Sequence, residues 1–259
     1  MKRVVPVIRD EDPEAKIVVP AVNPLSEPGA RNYLFTILSS DVMPLVDAIS
    51  WHIHSRESPE YAPEFYYNYP ALVQEIRDVA SANGFHGDYI AEELNFRIPT
   101  DPSPYWIPTY SDTVSAKYYA RGIVIHLGMS LTTGLCLDSL TESPLRVRVI
   151  HNLCTLMAGA KPSNVFMQIQ SEAKNIRTYG FSLPDGSQLV ALWTDGVANN
   201  DDPGVKATVT VQNATAQNVM GIDFFNDFEQ PLNVNVESGN LVINDLLIKD
   251  YPIFLRLIP

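Results

Sequence analysis

Two adjacent glutamates, Glu92 and Glu93, stand inside the strand-like run DYIAEELNF. Strand interiors disfavour glutamate, and neighbouring residues of a strand point to opposite faces of its sheet. One of the two carboxylates is therefore expected to point inward or toward a site at the end of the strand. Asn95 ends the same run, and Trp106 lies in the loop SPYWIPTY that follows it. These residue types suit a ligand rich in hydroxyl groups, because polar groups fix the hydroxyls while an aromatic ring packs on the apolar face.

A second group of polar and aromatic residues ends the apolar run LVDAISWHIH, which closes with Trp51, His52 and His54. If this run and DYIAEELNF are parallel strands of one sheet, their carboxyl ends meet at the same edge. In an α/β barrel the chemistry takes place at that edge. The sequence therefore predicts that the glutamate pair and the two histidines lie near each other.

The elements that would position these residues alternate in type over the first 160 positions. Nearly continuous apolar runs such as KIVVPAV predict strands buried on both faces. Amphipathic segments such as YNYPALVQEIRDVASANG predict helices, with Pro70 tolerated in the first turn and Gly84 as the stop. The alternation predicts parallel strands, either in a doubly wound sheet or in part of a (β/α)8 barrel. No glycine-rich phosphate loop follows a strand, which argues against dinucleotide binding.

The pattern changes near Lys161, where strand-sized units separated by turn signals such as PDGS begin to recur without a helical period. That texture is typical of a β-sandwich. We therefore predict an α/β plus all-β protein with two domains, a partial (β/α)8 barrel over residues 1–162 and a small β-sandwich over residues 163–259.

Composition limits the classes of partner. The chain has 259 residues, 46% of them apolar, and a formal net charge of −12. The acidic excess argues against nucleic acid, which needs a basic surface. No apolar run is long enough to cross a membrane, and the start MKRVVPVIRDED does not resemble a signal peptide. Cys136 and Cys154 are predicted to be buried thiols, and no spacing of residues indicates a metal or a cofactor site.

The segments SWHIH and AEELNFR, separated by a helix, resemble strands six and seven of the clan A glycoside hydrolases. The helix AKYYARGIVIHLGM is similar to the helix that follows in family thirty-nine-like members of that clan, where a small β-sandwich often comes after the last barrel helix. The likeness extends over nearly the whole chain, in pattern rather than identity. It implies strands five to eight of a (β/α)8 barrel followed by a β-sandwich.

The resemblance also implies roles for individual residues. In that clan one glutamate of the seventh strand is the nucleophile of a retaining mechanism, and the alignment places Glu93 at that position and Glu92 before it. His54 stands where a tyrosine is common, and the run LTTGLCLDS lacks the substrate-stacking tryptophan often found on the eighth strand. The implied site has Glu93 as the catalytic residue and four residues that bind substrate: His52, His54, Asn95 and Trp106.

One part of the expected machinery is missing. The clan's acid/base is the glutamate of an Asn-Glu pair at the end of the fourth strand, and the sequence contains no Asn-Glu dipeptide. The resemblance therefore places the acid/base outside these residues and implies that the chain alone would be inactive. The expected partner is a carbohydrate, together with either a second copy of the chain or a complementary N-terminal half.

Two alternatives remain open from the sequence. The first is a half-barrel that binds glycan without cleaving it. The second is an α/β domain of another enzyme class, in which Glu93 is structural and pairs with Arg97 or Arg121.

Overall fold

The computed structural model describes residues 1–53, 57–100, 108–136, 143–212 and 216–259. The chain divides into two compact units. Unit 1 comprises Met1–Asn95 and Leu131–Cys136, and unit 2 comprises Phe96–Ser130 and Leu137–Pro259.

Unit 1 is built on a parallel sheet of four strands in the order β1-β2-β3-β4. The strands alternate with helices, as the sequence predicts. The elements are α1 (Val4–Glu11), β1 (Val18–Val22), α2 (Pro28–Leu38), β2 (Ala48–His52), α3 (Pro63–Ala82), β3 (Asp88–Leu94) and β4 (Thr132–Leu135).

Burial explains why β2 lies inside the sheet. Four of its five residues are buried, and Trp51 has no exposed surface. The indole Nε1 of Trp51 donates a hydrogen bond of 2.9 Å to the hydroxyl of Tyr69 on α3. Trp51 is therefore a packing residue, with its one polar atom satisfied. Helix α3 begins at Pro63, earlier than the sequence pattern predicts, because proline is favoured in the first turn of a helix.

Unit 2 combines two helices with two antiparallel sheets. The helices are α4 (Asp112–Gly128) and α5 (Pro144–Leu156). The six-stranded sheet has the order β11-β10-β14-β8-β7-β5, and the four-stranded sheet has the order β12-β13-β9-β6. The strands are β5 (Lys161–Pro162), β6 (Met167–Ser171), β7 (Ile176–Ser182), β8 (Gln188–Thr194), β9 (Val205–Val211), β10 (Asn218–Asp223), β11 (Phe228–Pro231), β12 (Asn235–Glu237), β13 (Asn240–Ile248) and β14 (Ile253–Ile258).

Helix α4 is tied to the strand connections of unit 2 by two buried cations. The Arg121 guanidinium donates through Nε to the carbonyl oxygen of Asp250 at 2.7 Å and through Nη1 to that of Gly196 at 2.5 Å. The Lys117 ammonium lies 2.7 Å from a carboxylate oxygen of Asp250. Arg121 therefore binds the loops between strands, whereas the sequence had offered it as a partner for Glu93.

The predicted boundary between residues 162 and 163 falls where helix–strand alternation gives way to antiparallel strands, beside β5. The two compact units are divided elsewhere in the chain, because α4 and α5 cluster with the antiparallel sheets. The domain boundary at this position stays a prediction.

The expectation that both cysteines are buried is wrong. Cys154 is exposed and Cys136 is half-buried, and both thiols are free. Helix α5 buries Val149, Ile150 and Leu153, so Cys154 lies outside the buried stripe of that helix. Within the described ranges, no helix combines the length and the apolar character needed to cross a membrane.

Candidate active site at the ends of the parallel strands

The candidate site lies where β2 and β3 end side by side. The two strands are parallel, and His52 at the end of β2 is the register partner of Glu92 on β3. The backbone N–H of Ile53 donates to the carbonyl oxygen of Glu92 at 3.0 Å, which continues the pairing one residue past β2. The histidine and the glutamate pair of the sequence are thus brought to one edge of the sheet.

The imidazole of His52 lies between both glutamates. Its Nδ1 is 3.0 Å from Oε2 of Glu93, and its Nε2 is 3.4 Å from Oε2 of Glu92. The side chain of His52 is 12% exposed, that of Glu92 is 32% exposed and that of Glu93 is 49% exposed. Both carboxylates are therefore open to a ligand from solvent, while the imidazole that joins them is largely enclosed.

Strand alternation alone would send only one of two neighbouring side chains toward His52. The structure differs because β3 is irregular at this point. Its register with β4 shifts between Ala91 and Leu94, and Glu93 has a φ of +52°. A positive φ is uncommon outside glycine and carries a cost on the order of 1–3 kcal/mol. Such outliers concentrate at functional sites, and this one lets both carboxylates reach one imidazole.

The opposing strand accommodates this irregularity with a glycine. A Cβ atom added at Gly134 of β4 would lie 3.2 Å from the Cα of Glu92 and 3.6 Å from the backbone nitrogen of Glu93. A side chain at that position would press on the backbone that carries the two glutamates. Gly134 therefore allows β4 to approach the irregular part of β3 closely.

The arrangement has a defined chemistry. A neutral imidazole can donate one hydrogen bond, whereas a protonated imidazole can donate to a carboxylate on each side. His52 can thus hold a neighbouring carboxylate in one orientation, which is what an attacking or charge-stabilising carboxylate requires.

The other predicted site residues differ in their placement. Asn95 follows β3 directly and is only 3% exposed, so it is enclosed by the protein. His54 and Trp106 lie outside the described residues. Of the five predicted site residues, the structure brings together His52 and Glu93, with Glu92 as a third member.

Sequence reasoning missed a further carboxylate near these strand ends. Glu57 is 3% exposed, and its Oε1 accepts a hydrogen bond of 2.9 Å from the backbone N–H of Ser26. This bond links the segment after β2 to the segment after β1. The backbone N–H of Leu25 also donates to the carbonyl oxygen of His52 at 3.4 Å. The polar run SRESPEYAP around Glu57 carries no sign of burial, so only the place of Glu57 after a strand end could have indicated it.

No metal site is evident in the part of the chain that the structure describes, where no three histidine, cysteine, aspartate or glutamate side chains are grouped to hold an ion. The absence of a cofactor stays a prediction.

The sequence matches no described protein family. No curated protein is significantly similar to it. Solved structures, in contrast, share its fold. A GH51 arabinofuranosidase from Xanthomonas axonopodis pv. citri has a TM-score of 0.60 at 11% identity, over 99% of this chain and 62% of its own.

Two other solved structures show the same likeness. A family 39 glycoside hydrolase from Bacteroides cellulosilyticus WH2 has a TM-score of 0.62 at 14% identity, over 99% of this chain and 53% of its own. A GH30 endoxylanase from Clostridium papyrosolvens C71 has a TM-score of 0.55 at 14% identity, over 98% of this chain and 59% of its own.

The three structures are glycoside hydrolases of different families, and this chain spans between 53% and 62% of their lengths. They do not single out family thirty-nine, because members of families 51 and 30 match comparably well. At 11–14% identity the likeness concerns the fold. The chain thus shares, over nearly its whole length, the fold of glycoside hydrolases, in agreement with the resemblance to clan A.

Proposed function

We propose that this chain is part of a retaining glycoside hydrolase, with Glu93 as its nucleophile. The observation that carries the proposal is the imidazole of His52 between two solvent-accessible carboxylates, at the carboxyl ends of neighbouring parallel strands. The fold shared with glycoside hydrolases over 97% or more of the chain supports it. In this proposal the four parallel strands are half of a (β/α)8 barrel, and the two antiparallel sheets form a β-sandwich.

The proposed reaction has two steps. A carboxylate oxygen of Glu93 attacks the anomeric carbon, the bond from that carbon to the leaving oxygen breaks, and a glycosyl ester forms. The leaving oxygen takes a proton from an acid that the resemblance places outside this sequence. Water then attacks the anomeric carbon while the same outside group removes the water proton, the bond from that carbon to Glu93 breaks, and the free carboxylate of Glu93 is restored. Two displacements at one carbon retain its configuration.

His52 has a positioning role in this scheme. Its Nδ1 lies 3.0 Å from a carboxylate oxygen of Glu93, a contact that holds the attacking group in place. Its Nε2 lies 3.4 Å from Glu92, which fixes the imidazole from its other side. Trp106 and His54 are proposed to contact the sugar, and a carbohydrate is the proposed substrate. Asn95, at 3% exposed, is not accessible for such a contact in this structure.

Covalent labelling tests the assignment directly. The full chain is incubated with 2,4-dinitrophenyl 2-deoxy-2-fluoroglycosides of the gluco, xylo and arabinofuranosyl series, and its intact mass is measured. This leaving group departs without protonation, so the missing acid does not prevent the first step. We expect one glycosyl adduct on the wild-type chain and none on Glu93→Gln.

The matched control is Glu92→Gln, which alters the neighbouring carboxylate and leaves Glu93 in place. An adduct on this variant, mapped by peptide mass to Glu93, agrees with the proposal. An adduct that persists in Glu93→Gln, or one that maps to Glu92, contradicts it.

The second candidate is a protein that binds glycan without cleaving it. It is favoured by the contact of both carboxylates with one imidazole, which limits the freedom of either carboxylate to attack. Among the described strands, β1 and β4 each pair on one side only, and open strand edges invite pairing with another chain. A wild-type chain that binds glycan, takes no label and sediments as a dimer or larger assembly would favour this candidate.

A further inference from the structure

The outer face of the four-stranded sheet in unit 2 carries a regular array of uncharged polar side chains. On β9, Ala207, Val209 and Val211 are buried, whereas Thr208 and Thr210 between them are partly exposed. On β6, Gln168 and Gln170 are exposed. Because side chains alternate between the two faces of a strand, these four polar residues stand on the face away from the core.

The strand register arranges them in rows. Gln168 pairs with Thr210, and Gln170 pairs with Thr208. The hydroxyl of Thr208 lies 3.3 Å from the side-chain carbonyl oxygen of Asn244 on β13, which extends the second row across a third strand. Neighbouring strands are about 4.8 Å apart. The face thus presents amide and hydroxyl groups at fixed intervals, held by backbone pairing rather than by flexible loops.

An open cleft of about 420 Å³ is lined by four of these residues: Gln170, Thr208, Thr210 and Asn244. Its other lining residues include Glu237, Ser238 and Asn240, which come from the hairpin of β12 and β13. Glu237 is the only ionisable side chain among the residues that line it. A chain with a net charge of −12 has thus kept this surface almost free of charge. Lys206, two residues before Thr208 on the same face of β9, forms an exposed ion pair with Asp245 at 3.0 Å.

An exposed aromatic ring stands at the end of the β6 row. The carbonyl oxygen of Phe166 accepts a hydrogen bond of 2.9 Å from the backbone N–H of Gln212, which continues the β6–β9 pairing beyond Met167. Phe166 is two residues before Gln168, so its side chain shares the outer face. Phe166 is 69% exposed, so its ring is accessible to a ligand from solvent.

We propose that this face, defined by Phe166, Gln168, Gln170, Thr208, Thr210 and Asn244, binds a neutral oligosaccharide. The uncharged amides and hydroxyls match sugar hydroxyls, which donate and accept hydrogen bonds and carry no charge. The ring of Phe166 offers an apolar platform for one face of a sugar ring. Because the cleft carries so little charge, it does not suit an anionic or cationic ligand that must be recognised by its charge.

This site is separate from the carboxylates of β3. It needs neither turnover nor Glu93, so it stands or falls independently of the proposed function. A sheet face that binds no ligand would also be polar, because it is exposed to solvent. The experiment therefore measures whether a polysaccharide binds to this face.

Binding is measured by affinity electrophoresis of the full chain in gels containing soluble arabinoxylan, mixed-linkage β-glucan or no polysaccharide. We expect retardation by at least one polysaccharide and a dissociation constant about tenfold higher for Phe166→Ala, the effect of losing one stacked ring. Gln170→Ala should weaken binding as well. Both positions are exposed, so neither substitution removes core packing.

The matched control is Phe228→Ala, which removes another exposed phenylalanine, 53% exposed, from β11 of the other sheet. This variant should bind as the wild type does. No retardation of the wild-type chain by either polysaccharide would overturn the proposal. So would retention of full affinity in Phe166→Ala, or equal losses in Phe166→Ala and Phe228→Ala.

Discussion

The buried pair of Lys117 and Asp250 should be a principal determinant of the stability of unit 2. The ammonium of Lys117 is 2.7 Å from Oδ1 of Asp250, and the two side chains are 3% and 5% exposed. Lys117 also donates to the carbonyl oxygen of Asn199 at 2.5 Å. The other oxygen of Asp250 accepts from the backbone N–H of Asn199 at 2.7 Å. The pair therefore anchors α4 to the loop that follows β8.

The size of the effect follows from burial. With an effective dielectric constant of about 20, two unit charges 2.7 Å apart attract by about 6 kcal/mol, most of which offsets their removal from water. Removing one partner leaves the other charge buried and uncompensated, which costs about 3–5 kcal/mol. The carboxylate of Asp202 lies near as well, since it accepts from the backbone N–H of Asp250 at 2.9 Å. We therefore expect Lys117→Met to reach the upper part of that range.

The assay is urea unfolding of the wild type, Lys117→Met, Asp250→Asn and the double variant. Methionine keeps most of the volume of lysine, so the loss reports charge rather than a cavity. The double variant should lose about 1–3 kcal/mol less free energy of unfolding than the sum of the two single losses, because neither charge is then left buried without its partner. A loss below about 1 kcal/mol in Lys117→Met, the range of solvent-exposed pairs, would refute the reasoning.

Two further predictions concern His126 and the glycines of the helices. Burial lowers the pKa of His126 from 6.5 to about 3, so below pH 6.5 the unfolded chain binds a proton that the folded chain excludes. The free energy of unfolding, measured with urea, should then fall by about 1.4 kcal/mol per pH unit as the pH drops from 6.5 to 5. The same slope in His126→Gln would contradict this prediction. In Gly128→Ala the new Cβ would lie 2.1 Å from the ring of Tyr179, so we expect a loss of about 1–3 kcal/mol in thermal unfolding. Gly29→Ala, with nothing within 4 Å, is the control and should be neutral or stabilising.

Much of the fold could be predicted because its signals are local. Apolar runs and helix-terminating residues predict the alternation of unit 1. At the start of α4 the side chain of Ser111 accepts from the N–H of Val114, a cap of the kind that serine commonly provides. The burial of Lys117 and Arg121 could not be predicted in this way. Lysine and arginine are seldom enclosed, and the groups that satisfy these two come from loops far along the chain.

The candidate site, like the fold, could be predicted in part from the sequence. The meeting of His52 and Glu92 follows from two adjacent parallel strands that end at one edge, since the two residues are register partners. The approach of Glu93 to the same imidazole does not, because it depends on a register shift and on a positive φ at Glu93. Only glycine or asparagine would have signalled that conformation in the sequence.

The division of the chain into units has a consequence for synthesis and dissection. The backbone passes from one unit to the other after Asn95, after Ser130 and after Cys136. Strand β4 therefore leaves the ribosome after α4, so the parallel sheet cannot gain its last strand until the first helix of the other unit has been made. Neither unit can be cut out as one continuous segment. Expression of residues 163–259 alone would leave the carboxylate of Asp250 without Lys117, and we expect that fragment to be far less stable than the whole chain.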